Sequence, residues 1–328
     1  MASLLTIREE IKNFCGKYNK FISPVVKFIL AFLMFWSVSH LTGYHSTLSS
    51  MPIIFVLALI CAFMSDGITL ALGGIYACAQ MFSANVEIAV VFILLFVIMY
   101  CIYIRFFPKT SWIIMFMPLM FIIKFQYFMP VLAGMLVGAA GVLPAAFGCV
   151  FYFFLKHAGD YLDLAETTAE DDLVEGYKYM FQSLVENKTL ILTVIVFAVV
   201  IVLTNIIYRL AFDFSWYVAI IAGGLVEIIL FLVGNFAFDA DISLVGALFG
   251  SILAILVAVV VQFFRCVVDY SRVENTQFED DEYYYYVKAV PKVVMGKQKK
   301  AVRTISSGNG ASSNGTSNGD DSVNGATR

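Results

Sequence analysis

Three ionisable side chains stand inside or between apolar runs of this chain: Glu227, Asp66 and Lys124. Glu227 lies near the middle of the run at residues 215–236, just after Ala222, Gly223 and Gly224. A carboxylate at that depth is costly in hydrocarbon and marks a path for protons, ions or polar solutes. Small residues beside it let a neighbouring helix approach closely. Asp66 splits the short runs 51–64 and 68–82, and Lys124 splits 111–123 and 128–140. Broken helices present free backbone groups and dipole ends that hold ions and polar substrates. These three residues form the candidate intramembrane polar site. Lys27 and Gln262 sit nearer helix ends, where they can snorkel or be satisfied locally.

Other chemistries find no support. The three histidines (His40, His45, His157) form no i,i+4 pair, and no HExxH occurs, which excludes a zinc metalloprotease. The six cysteines are scattered without a CxxC and read as small hydrophobes rather than as a disulfide framework. GxGxxG, Walker A and GxSxG patterns are missing. Asp160, Asp163, Asp171 and Asp172 read as a solvated acidic face. The sequence thus points to no enzyme, metal or cofactor.

The elements that position these residues follow from composition. Of 328 residues, 61% are apolar and 14% charged, and the mean hydropathy is +0.86. Soluble domains run near 45–50% apolar and about 25% charged. A soluble enzyme, a secreted disulfide scaffold and a nucleic-acid-binding domain are all excluded, and the main partner is a lipid bilayer. Residues 21–156 carry only seven charges, and residues 189–264 carry five. A crossing helix needs about 20 residues. Runs at 21–39, 86–104, 189–208, 215–236 and 242–264 meet this, and Gly141 to Pro144 interrupt the approach to a further run at 145–155. The expectation is all-α: a polytopic helical bundle of about 8–10 spans, some short or broken.

Six segments result: a basic N-terminal segment (1–20), a first membrane block (21–156), an acidic amphipathic helix (157–188), a second block of three spans (189–264), a tail (265–303) and a Ser/Gly/Asn-rich end (304–328) that cannot offset the entropy of ordering. The acidic helix is expected over 166–188, capped by Thr168, with Leu173, Tyr177, Phe181 and Leu184 at helical spacing. In the tail, Tyr283, Tyr284, Tyr285 and Tyr286 and the following valines favour a strand. Residues 273–303 are the candidate surface for a membrane or cytoplasmic protein partner. Lysines and arginines concentrate on the cytoplasmic side of short loops. Lys12, Lys17, Lys20, Arg105, Lys109, Arg209, Arg265 and Arg272 then place both termini in the cytoplasm, in a plasma or cytoplasmic membrane, with seven crossings before residue 157.

Gly134, Gly138, Gly246, Gly250 and Ala254 read as smooth faces for helix packing. The pairs Met51-Pro52 and Met117-Pro118 suggest a repeat offset by 66 residues, of the kind that builds midplane sites. The segment from Met129 to Gly138 resembles the glycine-rich helices of substrate-capture subunits of vitamin importers, over a short stretch with a generic motif. The combined expectation is a transporter- or permease-type component without its own ATPase. The competing expectation is a non-transporting scaffold that recruits a partner through its tail.

Overall fold

The computed structural model describes residues 7, 10–11, 14–43, 45, 47–106, 110–165, 173–210, 214–240, 242–265, 274–279 and 284–289. Eleven helices lie in the described residues from Asn19 onward: α1 (Asn19–Thr42), α2 (Met51–Cys61), α3 (Asp66–Ala84), α4 (Val86–Phe106), α5 (Ser111–Ile122), α6 (Phe128–Leu136), α7 (Val142–Ala165), α8 (Leu173–Val185), α9 (Lys188–Tyr208), α10 (Ser215–Phe238) and α11 (Leu244–Arg265). Six helical stretches are long and apolar enough to cross a membrane: α1, α3, Ala139–Leu162, α9, α10 and α11. They are compatible with a polytopic membrane protein. Met51–Cys61 and Ser111–Ile122 are shorter apolar helices, and α4, helical over 21 residues, covers the run expected as a span at 86–104.

The helices carry their apolar bulk outward. On α10 the exposed face is Ile221, Leu225, Ile229, Val233 and Phe236, the last 74% exposed, while Gly223, Gly224, Glu227 and Gly234 are buried. On α11, Leu248, Phe249, Ile252 and Leu256 are exposed and Ala247, Ser251, Ala254, Ala258 and Gln262 are buried. A surface helix in water shows the opposite pattern. Small and polar residues inside with large aliphatics outside suit a bundle solvated by acyl chains, where close packing rather than water exclusion joins helices.

Two apolar cores share one wall. Phe35, Met81, Phe92 and Phe154 centre the core of α1–α4, and Met117, Met129, Phe197 and Phe231 centre that of α6, α9, α10 and α11. Helices α5 and α7 contribute to both, through Met115 and Phe154 on one side and Met117 and Phe153 on the other. They run in the same direction, because a methyl on Gly148 would lie 2.7 Å from Met117 Cβ and Phe121 stacks on Tyr152 at 4.2 Å. The short helix α6 therefore returns the chain between them.

The break before α7 differs from expectation. Gly138, with φ 83°, makes the turn, and Val142 to Pro144 already belong to the helix. Proline fits a first turn because its missing N–H has no intrahelical acceptor there. Helix α7 then runs on through Ala165, so residues 157–165, expected in the acidic insert, continue this helix. Thr168 lies outside the described residues. On α8, Met180 is buried and Leu184 partly so, but Phe181 is exposed, so the expected apolar stripe is only partly the packed one. The 66-residue repeat is not matched in structure: Pro52 starts α2, whereas Pro118 lies inside α5.

Residues beyond Val267 form a separate unit. Its described part is a two-stranded antiparallel hairpin, β1 (Glu274–Glu279) and β2 (Tyr284–Ala289), with Phe278 opposite Tyr285. Tyr283 and residues 290–328, which include the Ser/Gly/Asn-rich end, lie outside the described residues.

Candidate functional site

Asp66, Lys124 and Glu227 occupy three separate places. Asp66 opens α3 and pairs with Lys27 Nζ at 3.0 Å. The same ammonium donates to the Met64 carbonyl at 3.1 Å, so Lys27 from α1 holds the α2–α3 break. The pair borders a cavity of about 360 Å³ with Trp112, Met115 and Thr69. Its side chains remain 35% and 44% exposed, and exposed ion pairs contribute about 0–1 kcal/mol. Asp66→Asn is accordingly expected to change unfolding stability by less than about 1 kcal/mol, as read from denaturation of the purified protein. A larger loss would mark a structural ion pair.

Lys124 sits in the α5–α6 break with φ 57°, in the left-handed region. Its N–H donates to the Phe121 carbonyl (3.1 Å), and that of Phe125 donates to Met120 (2.8 Å). This bond pair closes a helix end with the left-handed position normally taken by glycine. A side chain there costs about 1–2 kcal/mol, partly offset because glycine has more freedom to lose on folding. Lys124→Gly is therefore expected to stabilise the fold, by up to about 1 kcal/mol, in the same denaturation assay.

Lys124 borders a cavity of about 390 Å³ built from four parts of the chain. Helix α5 and its break supply Phe121, Lys124, Gln126 and Tyr127; α7 supplies Tyr152, Phe153 and Lys156. Helix α9 supplies Thr189 and Thr193, and the α10–α11 corner supplies Phe231, Ile242, Ser243 and Gly246. Asn187 fixes the start of α9: its carbonyl accepts from Leu190 N–H at 2.8 Å, and its amide meets the His157 ring at 2.6 Å. A second cavity shares Phe153, Lys156 and Thr189 and adds Glu186, Lys188 and Asp239. Outside the candidate spans, burial and the nearby Asp160 carboxylate raise the Tyr179 phenol above its ordinary range.

Glu227 lies deeper, with no exposed surface, and both carboxyl oxygens lack a hydrogen-bond partner among the described residues. One turn earlier on the same helix, a methyl on Gly223 would collide with Thr204 Oγ1. One turn later, Phe231 stands edge-on to Tyr127 at 5.3 Å and to Phe197 at 6.4 Å. Phe231, one turn from Glu227, and Tyr127 both line the Lys124 cavity. Gly224 abuts Ile255 of the antiparallel α11. At about 1.5 Å rise per residue, Glu227 and Ser251 then stand at nearly one level. Ser251 and Thr204 are likewise buried with unpartnered hydroxyls. Buried polar groups normally find partners, and these lie along the contacts that α10 makes with α9 and with α11.

The packing residues divide as well. Gly134 is at a true helix contact: a methyl there would lie 2.9 Å from the Ile201 carbonyl oxygen. Gly250 accommodates the Tyr127 ring, and Ala254 is fully buried. Gly138 serves a turn after α6 rather than a helix face. A methyl on Gly246 would meet only Ser243 of its own corner, so Gly246 borders the cavity instead of a helix contact. The sequence reading missed Tyr127, Lys156 and Ser251. Lys156 was visible as one of the seven charges in the first block, but only the fold sets it opposite Lys124.

Comparison of the chain with protein-family models, with curated proteins and with solved structures gives no match.

Proposed function

We propose that this protein is a transporter- or permease-type membrane component without its own ATPase, and that Glu227 is its coupling group. The observation that carries the reading is the fully buried carboxyl on a membrane-length helix, with both oxygens unpartnered. Such a group must take up a proton, a cation or a polar partner to be stable in a low-dielectric interior. An obligate exchange of partners is what coupling to a solute requires. The cavity beside Tyr127 and Phe231 gives that solute an approach from one end of the bundle.

On this reading the chain passes in alternating directions through ten helical segments, α1–α7 and α9–α11. The short α2, α5 and α6, at about 1.5 Å per residue, reach only part of the way across and are satisfied by their helical neighbours. Seven precede α8, which puts the N-terminus and the end of α11 on one side. The basic residues make that side cytoplasmic.

Uptake by vesicles containing the full chain tests the proposal, with a panel of labelled carboxylates, amines, sugars and amino acids. A solute whose uptake is lost in Glu227→Gln, with the variant still inserted and monodisperse, is the expected result. Uptake unchanged in Glu227→Gln overturns the coupling role.

One observation favours the scaffold reading. In the hairpin, Tyr284 and Tyr286 are 68% and 76% exposed, and amphipathic aromatics of this kind are frequent anchors at protein interfaces. Deleting residues 273–303 separates the readings: a permease keeps its uptake, and a scaffold loses its co-purifying proteins.

A further inference from the structure

We propose that the cavity between Lys124 and Lys156 is a binding site for a small organic anion with a ring-bearing body, of the aryl carboxylate class. The proposal names a substrate class and rests on the transport reading only for its biological purpose. Binding itself can be measured without flux.

Charge is the first argument. Lys124 and Lys156 are the charged residues lining the cavity, with no acid beside them. The adjoining cavity brings Glu186 and Asp239 near Lys188 and Lys156, so Lys156 is shared between the two recesses and Lys124 is the cation with no acid in its lining. Two ammonium groups flanking one recess suit a carboxylate, which can accept from both.

The walls define the rest of the ligand. Phe121 and Tyr152 stack at 4.2 Å, Phe153 packs edge-on to both, and Tyr127 and Phe231 close the inner end. Flat aromatic walls favour a ring, by offset stacking or edge contact. A volume of about 390 Å³ lies toward the small end of ligand sites, which run about 300–1,000 Å³. The backbone adds an independent sign, since Lys124 holds a left-handed conformation that glycine would adopt at lower cost.

Calorimetric titration of the detergent-purified full chain tests the proposal with three probes: benzoate, benzamide and benzylamine. Benzoate is expected to bind, and benzamide and benzylamine to show no measurable binding. Lys124→Gln and Lys156→Gln should each weaken benzoate roughly 10- to 100-fold, the fold-change for one charge-assisted hydrogen bond. Lys124→Arg should retain most of the affinity and so controls for folding.

Equal binding of benzamide and benzoate, no binding of any probe at millimolar concentration, or full affinity in the double lysine variant would each overturn the site. Anion binding without any Glu227-dependent uptake leaves this site standing and overturns the transport reading. Glu227-dependent uptake of an amine or sugar, with no anion binding, does the reverse.

Discussion

Leucine in place of Gly134 is expected to remove most of the folded protein recovered from membranes, whereas Gly67→Ala should leave the yield unchanged. Gly134 lies on α6 where it crosses α9. A single methyl there would sit 2.9 Å from the Ile201 carbonyl oxygen and 2.9 Å from Thr204 Cβ. The first of these is backbone, held in the α9 ladder, and cannot rotate aside. Overpacking of a filled interior costs about 1–3 kcal/mol for small additions and more for large ones. A whole isobutyl group must push α6 away from α9, against a total stability of about 5–15 kcal/mol for an ordinary domain. The displacement would also shift Tyr127, one residue before α6, and with it the inner end of the Lys124 cavity. Gly67 has no atom within 4 Å of an added methyl, and alanine is the better helix former. Size-exclusion profiles and unfolding midpoints of the two variants check the contrast. Equal profiles would mean that α6 is not clamped on α9.

Glu227→Leu is expected to act in opposite directions on stability and activity. The buried carboxyl has no partner for either oxygen among the described residues, and leaving such a group unsatisfied costs about 1–3 kcal/mol. Leucine, somewhat shorter in reach and wholly apolar, removes that cost and suits a site flanked by Phe231 and Ile220 on the buried face of α10. Unfolding stability should rise by about 1–3 kcal/mol, while Glu227-dependent uptake disappears. Proteins tolerate this kind of strain where function requires it. A loss of stability in Glu227→Leu would instead show that the carboxyl is a structural hydrogen-bonding group. Denaturant titrations of the two proteins in one detergent decide the sign.

Much of the helical layout was readable from apolar runs because hydrocarbon imposes both length and helicity on a crossing segment. The runs at 189–208, 215–236 and 242–264 correspond to α9, α10 and α11 within a few residues. Asp66 and Lys124 were legible as breaks for the same reason, since a charge rarely lies mid-run without cause. Pro144 misled because proline has two opposite uses: it interrupts a helix interior but fits a first turn. The end of α7 was also misplaced. Lys156, His157 and Asp160 resemble loop residues by polarity, yet they simply continue the helix past the apolar zone.

Side-chain partnerships were not legible. Apolar helices lack the one-sided pattern that tells a reader which face is inside, because the lipid-facing side is as apolar as the core. Nothing in the order of residues sets Lys27 against Asp66 rather than in solvent, or Lys156 beside Lys124 across 32 positions of chain. Gly246 and Gly250 share one motif, and only the approach of Tyr127 separates a packing glycine from a cavity-lining one.

By itself, then, the sequence determined the solvent of this protein, the approximate limits of most crossing elements, and the few ionisable residues through which chemistry can run. The tertiary structure decided how those residues divide: Asp66 neutralised by Lys27, Lys124 joined to Lys156 at an aromatic recess, and Glu227 sealed without a partner. The reason is physical. Transfer from water to lipid is a local property that each segment carries in its composition. The environment of a charge depends on which helices meet around it, and that is settled by packing between residues far apart in the chain.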